Sequence, residues 1–299
     1  MRELIGHTPL VKINYAFEQV EGVNLFAKLE YYNPSGSVKD RTGLYMVEDA
    51  IKDGRLKRGS TIVEATAGNT GLGVAFAALN QGFHVIFVVP EKFSEEKQIL
   101  MKALGSDIIH TKREDGMLGA AAKAQELLSE IKDSISLQQF KNMSNPKAHY
   151  ETTGPEIYQD LDGKIDYLVA GAGSGGTYSG VVKFLKEQNR NIKGILADPV
   201  GSTMGGGEHA DYDIEGIGND FIADTMDMSL VDKVIKINDS QAFDGARALA
   251  RHEGILGGSS TGAAFSAALK LIYEHHVKGN IVFIAPDSGD RYFSKHLYA

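Results

Sequence analysis

Short β-rich runs alternate with helical patterns along nearly the whole chain, and that alternation constrains the fold more than any other feature. Candidate strands cover residues 25–29, 61–64, 84–89, 107–110, 167–170, 194–198, 233–237 and 280–285. Candidate helices follow most of them, over 38–52, 71–80, 95–104, 117–130, 179–189, 239–253 and 261–275. A strand that runs into a helix returns to the sheet as a parallel neighbour, so the pattern predicts an α/β fold of mostly parallel sheet. At 299 residues the chain is long enough for two domains of about 150 residues each. Thr153-Gly154-Pro155-Glu156 reads as a capping box opening a further helix. Residues 138–149 are polar and aperiodic and are expected to cross between two sheets. The Gly-rich stretch 201–219 also lacks a period, and a loop this long inside a compact domain is usually functional.

Composition removes several kinds of chemistry. Acidic and basic residues are mixed along the chain at a net charge of −8. That argues against a nucleic-acid backbone or an anionic membrane as partner. The absence of cysteine excludes disulfides, thiolate metal ligands and a cysteine nucleophile. No metal is expected. The N-terminus has no apolar run, and no segment approaches ~18 uninterrupted apolar residues, so a cytoplasmic location is the expectation.

Four strings remain that could carry chemistry. In Asn33-Pro34-Ser35-Gly36-Ser37-Val38-Lys39-Asp40-Arg41 a lysine opens a helix, where the helix dipole disfavours a cation. Lysine can hold such a place as a neutral amine or an imine, the forms in which it does Schiff-base chemistry. A solvated surface lysine is the plainer reading. Thr66-Ala67-Gly68-Asn69-Thr70-Gly71 follows a strand and precedes an apolar helix, so its small residues expose N–H groups to an anion; an N-cap with a tight turn explains it equally. Gly171-Ala172-Gly173-Ser174-Gly175-Gly176-Thr177 is dense enough in glycine to close on a phosphate. It lacks the Lys-Ser/Thr of a Walker loop. It does satisfy the dinucleotide pattern at Gly171, Gly173 and Gly176, with Asp198 ending the next strand where a ribose-binding acid would stand. An NAD-dependent oxidoreductase is therefore a rival. Gly257-Gly258-Ser259-Ser260-Thr261-Gly262 is another hydroxyl-rich helix start, open to a reading of simple close packing.

Taken together and in order, these strings resemble the fold-type-II pyridoxal-phosphate enzymes of the cysteine synthase and cystathionine β-synthase family. Ile5-Gly6-His7-Thr8-Pro9-Leu10 resembles the family's opening signature, and Pro286-Asp287-Ser288-Gly289-Asp290-Arg291-Tyr292 its C-terminal block. The resemblance implies two domains, each a mostly parallel twisted sheet flanked by helices, with the active site between them. Residues 40–145 would form a smaller, mobile, substrate-closing domain, and 1–39 with 146–299 a larger domain binding the cofactor phosphate. It implies pyridoxal 5′-phosphate attached to Lys39. Gly173, Ser174, Gly175, Gly176 and Thr177 would hold the phosphate, Asn69 the phenolic oxygen, and Ser259 would face the pyridine nitrogen. Thr66, Ala67, Gly68, Asn69 and Thr70, with Gln139 from Gln138-Gln139-Phe140, would grip the substrate carboxylate.

The implied reaction is β-replacement on O-acetylserine or serine through an aminoacrylate, with Lys39 as the base. A neutral serine at the ring nitrogen suits that reaction better than transamination. Two features lean toward homocysteine as acceptor and cystathionine as product. Ala67 stands where most cysteine synthases carry serine. Glu215-Gly216-Ile217-Gly218-Asn219-Asp220-Phe221-Ile222 resembles the acidic cystathionine β-synthase form of the family's glycine loop. Glu215 and Asp220 are the carboxylates proposed to receive the amino group of homocysteine, beside Gly216. Sulfide, giving cysteine, is the alternative. A homodimer is implied, and docking of a serine acetyltransferase tail is left open.

Overall fold

The computed structural model describes residues 2–299 apart from Lys92 and Ser94. In chain order the strands are β1 (Leu10–Lys12), β2 (Val23–Leu29), β3 (Thr61–Ala65), β4 (His84–Pro90), β5 (Asp107–Thr111), β6 (Ser134–Ile135), β7 (Tyr167–Gly171), β8 (Lys193–Pro199), β9 (Lys233–Ile237) and β10 (Gly279–Ala285). The α-helices are α1 (Lys39–Lys52), α2 (Asn69–Ala78), α3 (Glu95–Ala103), α4 (Gly116–Glu130), α5 (Ser144–Ala148), α6 (Gly154–Asp160), α7 (Gly176–Gln188), α8 (Asp239–Glu253) and α9 (Ser259–Tyr273). Contacts divide the chain into two compact units. One comprises Lys39–Asn145 with the extreme N-terminal residues; the other comprises Gly6–Val38 and Pro146–Ala299. Among the described residues no helix is long and apolar enough to cross a membrane.

The first unit is built on a four-stranded, wholly parallel sheet in the order β5-β4-β3-β6. β4 reads His-Val-Ile-Phe-Val-Val-Pro, a nearly continuous apolar run, as expected of a strand covered on both faces. One face packs on α1, α2 and Met101 of α3, the other on α4 through Ala120, Ala124 and Leu127. Leaving β3, Glu64 accepts hydrogen bonds at Oε1 from Ser136 Oγ (3.0 Å) and from the N–H groups of Gln138 (3.1 Å) and Leu137. Burial pushes its carboxyl above the usual value, opposed by those hydrogen bonds. A raised carboxyl stabilises the fold below the ordinary carboxylate pKa, and the contribution is lost as pH rises through the raised value. Glu64→Gln keeps an acceptor at the same place and removes this contribution, so the wild type loses stability relative to the variant as pH rises across that window. Urea denaturation of both proteins at a series of pH values checks this, and parallel curves would refute it.

The second unit carries a six-stranded sheet in the order β1-β2-β10-β7-β8-β9, parallel except for β1 on β2. Central β10 (Gly-Asn-Ile-Val-Phe-Ile-Ala) is flanked by β2 and β7. α9 lies on one face over Phe265, Ala268 and Leu271, and α7 on the other over Tyr178, Val181, Val182 and Leu185.

The parallel α/β class is as the alternation predicts, and every expected strand is present within two residues of its expected ends. Three helices begin two or three residues earlier than expected. α2 opens at Asn69 rather than 71, α7 at Gly176 rather than 179, and α9 at Ser259 rather than 261. Glycine and hydroxyl residues read as turn, yet they occupy first helical turns here. The capping box at Thr153 is absent. Thr153 already has helical angles (φ −60°, ψ −42°) and makes no side-chain cap, because the chain enters α6 from a wide π-turn over His149–Thr153. Glu156 instead accepts from the His7 N–H (3.0 Å) and pairs with fully buried Lys28 (2.9 Å). Residues 138–149 are not wholly irregular, since they contain α5.

Candidate active site

Lys39 is the first residue of α1, partly buried between fully packed neighbours: Val38, Asp40 and Arg41 are each at most 3% exposed. α1 crosses α2 at glycines. A Cβ on Gly43 would lie 2.7 Å from the Val74 nitrogen, and one on Gly73 would lie 2.6 Å from the Lys39 carbonyl carbon. Both are far inside van der Waals contact, so only glycine permits this approach, and it sets the backbone of Lys39 against α2.

The loop before α2 is tied to the same helix pair. Gly68 is the N-cap of α2, extended and without a side-chain cap, so the first N–H groups of the helix are presented from a bare backbone. Thr66 Oγ1 accepts from the Gly68 N–H (3.4 Å). Thr70 Oγ1 donates to Gln139 Oε1 (2.7 Å), Asn145 Nδ2 to the Gln139 carbonyl (2.9 Å), and Thr42 Oγ1 to Asn145 Oδ1 (3.1 Å). Thr70 and Gln139 are therefore joined through Asn145 to the first turn of α1, while Thr66 is bonded to Gly68 within the loop. Ala67 is different in kind. It is 3% exposed and packed in the apolar core, so serine at this position would bury a hydroxyl.

In the second unit, residues 173–177 form the entrance to α7. Gly175 is the N-cap, left-handed at φ +83°, with no side-chain cap. A Cβ there would lie 2.7 Å from Met226 Cα, and one on Gly173 would lie 2.6 Å from the Gly216 carbonyl oxygen. Three successive carbonyls of this turn are taken up by one long loop: Ala172 by the Gly218 N–H (2.8 Å), Gly173 by Asn219 Nδ2 (2.6 Å) and Ser174 by Thr225 Oγ1 (2.5 Å). With its carbonyls bonded away and its amides at the start of a 13-residue helix, the turn suits a phosphate dianion. Tyr292, on the C-terminal block, donates to Asp287 Oδ2; burial first and the Asp287 carboxylate second hold its phenol well above the usual value, so it stays a neutral donor.

Ser259, 3% exposed at the start of α9, accepts from the Glu215 N–H at 3.0 Å. That bond occupies a lone pair and leaves the hydroxyl proton for a ring nitrogen. The Glu215 carboxylate lies 3.4 Å from Lys295 Nζ. Asp220 is 58% exposed and sits 2.8 Å from His209 Nδ1 on the same loop. Of the predicted residues in this unit, Gly173, Ser174, Gly175, Gly176, Thr177, Gly216, Glu215 and Ser259 are thus linked to one another, whereas Asp220 faces His209. The dinucleotide reading loses its acid. Asp198 is 1% exposed, with Oδ2 on Lys236 Nζ (2.5 Å) and the Gly205 N–H (3.0 Å), so it is enclosed by the fold. Sequence reasoning missed Asn219 as the bracket on Gly173, Thr225 as the bracket on Ser174, and His149, which reaches Thr177. A loop without periodicity gives no signal for bonds of this range; only the string around Asn219 marked its neighbourhood.

The chain matches the family described as pyridoxal-phosphate dependent enzyme over residues 1–287. It is 50% identical over 296 residues to the O-acetylserine dependent cystathionine β-synthase of Bacillus subtilis (strain 168), covering 99% of this chain and 96% of that one. The crystal structure of O-acetylserine dependent cystathionine β-synthase from Helicobacter pylori superposes with a TM-score of 0.93 at 43% identity, covering 100% of this chain and 98% of that one. Cysteine synthase from Entamoeba histolytica gives a TM-score of 0.95 at 39% identity, covering 99% and 89%.

Proposed function

The chain belongs to the pyridoxal-phosphate dependent enzymes, and we propose that it performs β-replacement on O-acetylserine with homocysteine as acceptor, giving cystathionine. Pyridoxal phosphate, when bound, supplies an aldehyde that condenses with amines and a ring that takes up electron density from the substrate Cα. The residues supply the rest. Residues 173–177 bind the phosphate at the α7 N-terminus. Ser259 donates its hydroxyl to the ring nitrogen and, being neutral, leaves that nitrogen without a proton. Asn69 bonds the phenolic oxygen. The amides and hydroxyls of 66–70, with Gln139 held through Thr70, orient the amino acid by its carboxylate. Lys39 attaches the cofactor through Nζ, then takes the Cα proton and later returns it.

The observation that carries the choice of acceptor is the bond from the Glu215 N–H to Ser259 Oγ. It tethers the backbone of an acidic residue beside the residue assigned to the ring, so an acceptor with an ammonium group can compete with Lys295 for that carboxylate, a handle that sulfide lacks. The likeness to the Bacillus subtilis and Helicobacter pylori proteins supports the same choice. Sulfide is the second reading, favoured by the Entamoeba histolytica likeness and by the engagement of Asp220 with His209. With both nucleophiles offered to one sample with O-acetylserine, cystathionine is expected to exceed cysteine. In Glu215→Gln that ratio falls about tenfold, the effect of one charge-assisted hydrogen bond. A preference for sulfide in the wild type would overturn the homocysteine assignment.

A further inference from the structure

His149 is fully buried. It opens the π-turn His149–Thr153 between α5 and α6, a rare local geometry that frequently marks functional sites. Its ring is bonded at both nitrogens. Nε2 is 3.2 Å from Thr177 Oγ1, and Nδ1 is 2.9 Å from Thr153 Oγ1. The ring is placed by the backbone of α7 itself: a Cβ on Gly180 would lie 2.9 Å from both His149 Cβ and the Tyr150 nitrogen, so the π-turn rests directly on the helix. Thr177 is the second residue of α7 and the last of the phosphate turn.

A threonine hydroxyl has one proton and two lone pairs. If Thr177 spent its proton on Nε2, it would turn lone pairs toward an anion at the helix entrance. If Nε2–H donates to Thr177 instead, the threonine proton is left for the anion. Nδ1 is then the acceptor, and Thr153 is the hydroxyl that satisfies it. The order Thr153 O–H to Nδ1, then Nε2–H to Thr177 Oγ1, needs no charge on a buried ring.

We propose that His149 is a positioning residue, donating Nε2–H to Thr177 Oγ1 so that the threonine hydroxyl is held as a donor to the cofactor phosphate. This rests on the assignment of residues 173–177 to that phosphate.

The test is equilibrium binding to the full-length protein of pyridoxal phosphate and of pyridoxal, which lacks the phosphate. His149→Leu is expected to weaken pyridoxal phosphate about 10–100-fold, the worth of one bond to a charged group, and to leave pyridoxal unchanged. Thr177→Val shows the same selective loss, and the double variant loses no more than either single one, because His149 acts through Thr177. His149→Gln, whose amide N–H reaches toward the place of Nε2, binds within about threefold of wild type, whereas His149→Asn, which is shorter, does not. The Gln/Asn pair carries the test alone if the leucine variant does not fold. Equal affinities in that pair, or an equal loss of both ligands in His149→Leu, overturn the proposal while leaving the phosphate assignment intact. A Thr177→Val protein that still binds pyridoxal phosphate as wild type overturns the assignment and the proposal together.

Discussion

Lys39→Ala lowers turnover of O-acetylserine by about 10²–10⁴-fold, the contribution of a positioned general base, and further to the extent that cofactor attachment also fails. The position argues for so large an effect. A cation at the first residue of a 14-residue helix meets the positive end of the dipole, which disfavours the ammonium relative to the neutral amine, the form able to act as nucleophile and base. The fold does not depend on the side chain in the same way. Val38, Asp40 and Arg41 are packed on either side of it, and the Val38 N–H is held by the Pro286 carbonyl at 2.7 Å. Alanine should therefore cost about 0.5 kcal/mol or less of stability. Steady-state kinetics with thermal unfolding separates the two. Lys39→Arg should not restore turnover, because a guanidinium does not give up its proton. Turnover of either variant near the wild-type rate would remove Lys39 from the mechanism.

Gly73→Ala is expected to destabilise the first unit by about 3 kcal/mol or more, the upper part of the range for overpacking. The added methyl has no space. It would sit 2.6 Å from the Lys39 carbonyl carbon and 3.1 Å from the Asp40 nitrogen, and these are backbone atoms that no rotamer change can move. α2 must shift away from α1. That shift pulls on the hydrogen bonds joining Thr70, Gln139, Asn145 and Thr42, so the variant should lose turnover as well as stability. Gly68→Ala is the comparison. Its φ of −110° is open to any residue and nothing lies within 4 Å of the new Cβ among the described residues. Its stability should stay within about 0.5 kcal/mol of wild type. Urea denaturation of both variants decides the matter, and equal midpoints would show that the α1–α2 crossing tolerates separation.

Much of the fold was legible because parallel strands buried on both faces must be apolar throughout. β4, β7 and β10 stand out for that reason, while the three residues of β1 and the two of β6 are too short to make a pattern. Helix entrances were the weak point. Asn69, Gly176 and Ser259 are residue types that favour turns, but each sits in a first helical turn, where tertiary packing overrides local preference. The same bias hid the nature of Thr153: its hydroxyl goes to His149 rather than to a cap. The motif strings around Lys39, Asn69, Gly175 and Ser259 were legible as strings because bare backbone at a helix start demands glycine and small hydroxyl residues. What holds them was not. Asn219 on Gly173 and His149 on Thr177 span 46 and 28 residues, and no local pattern records bonds of that range. Asp198 illustrates the converse. It stands at the end of a strand, as a ribose acid would, and only the fold reveals that Lys236 has enclosed it.

The central claim is that Lys39 carries the cofactor. Borohydride reduction of the holoenzyme, followed by proteolysis and mapping of the phosphopyridoxyl peptide, tests it most directly. The account predicts a single labelled peptide with the modification on Lys39. A label on any other lysine, or a reduced protein with no label, would contradict it.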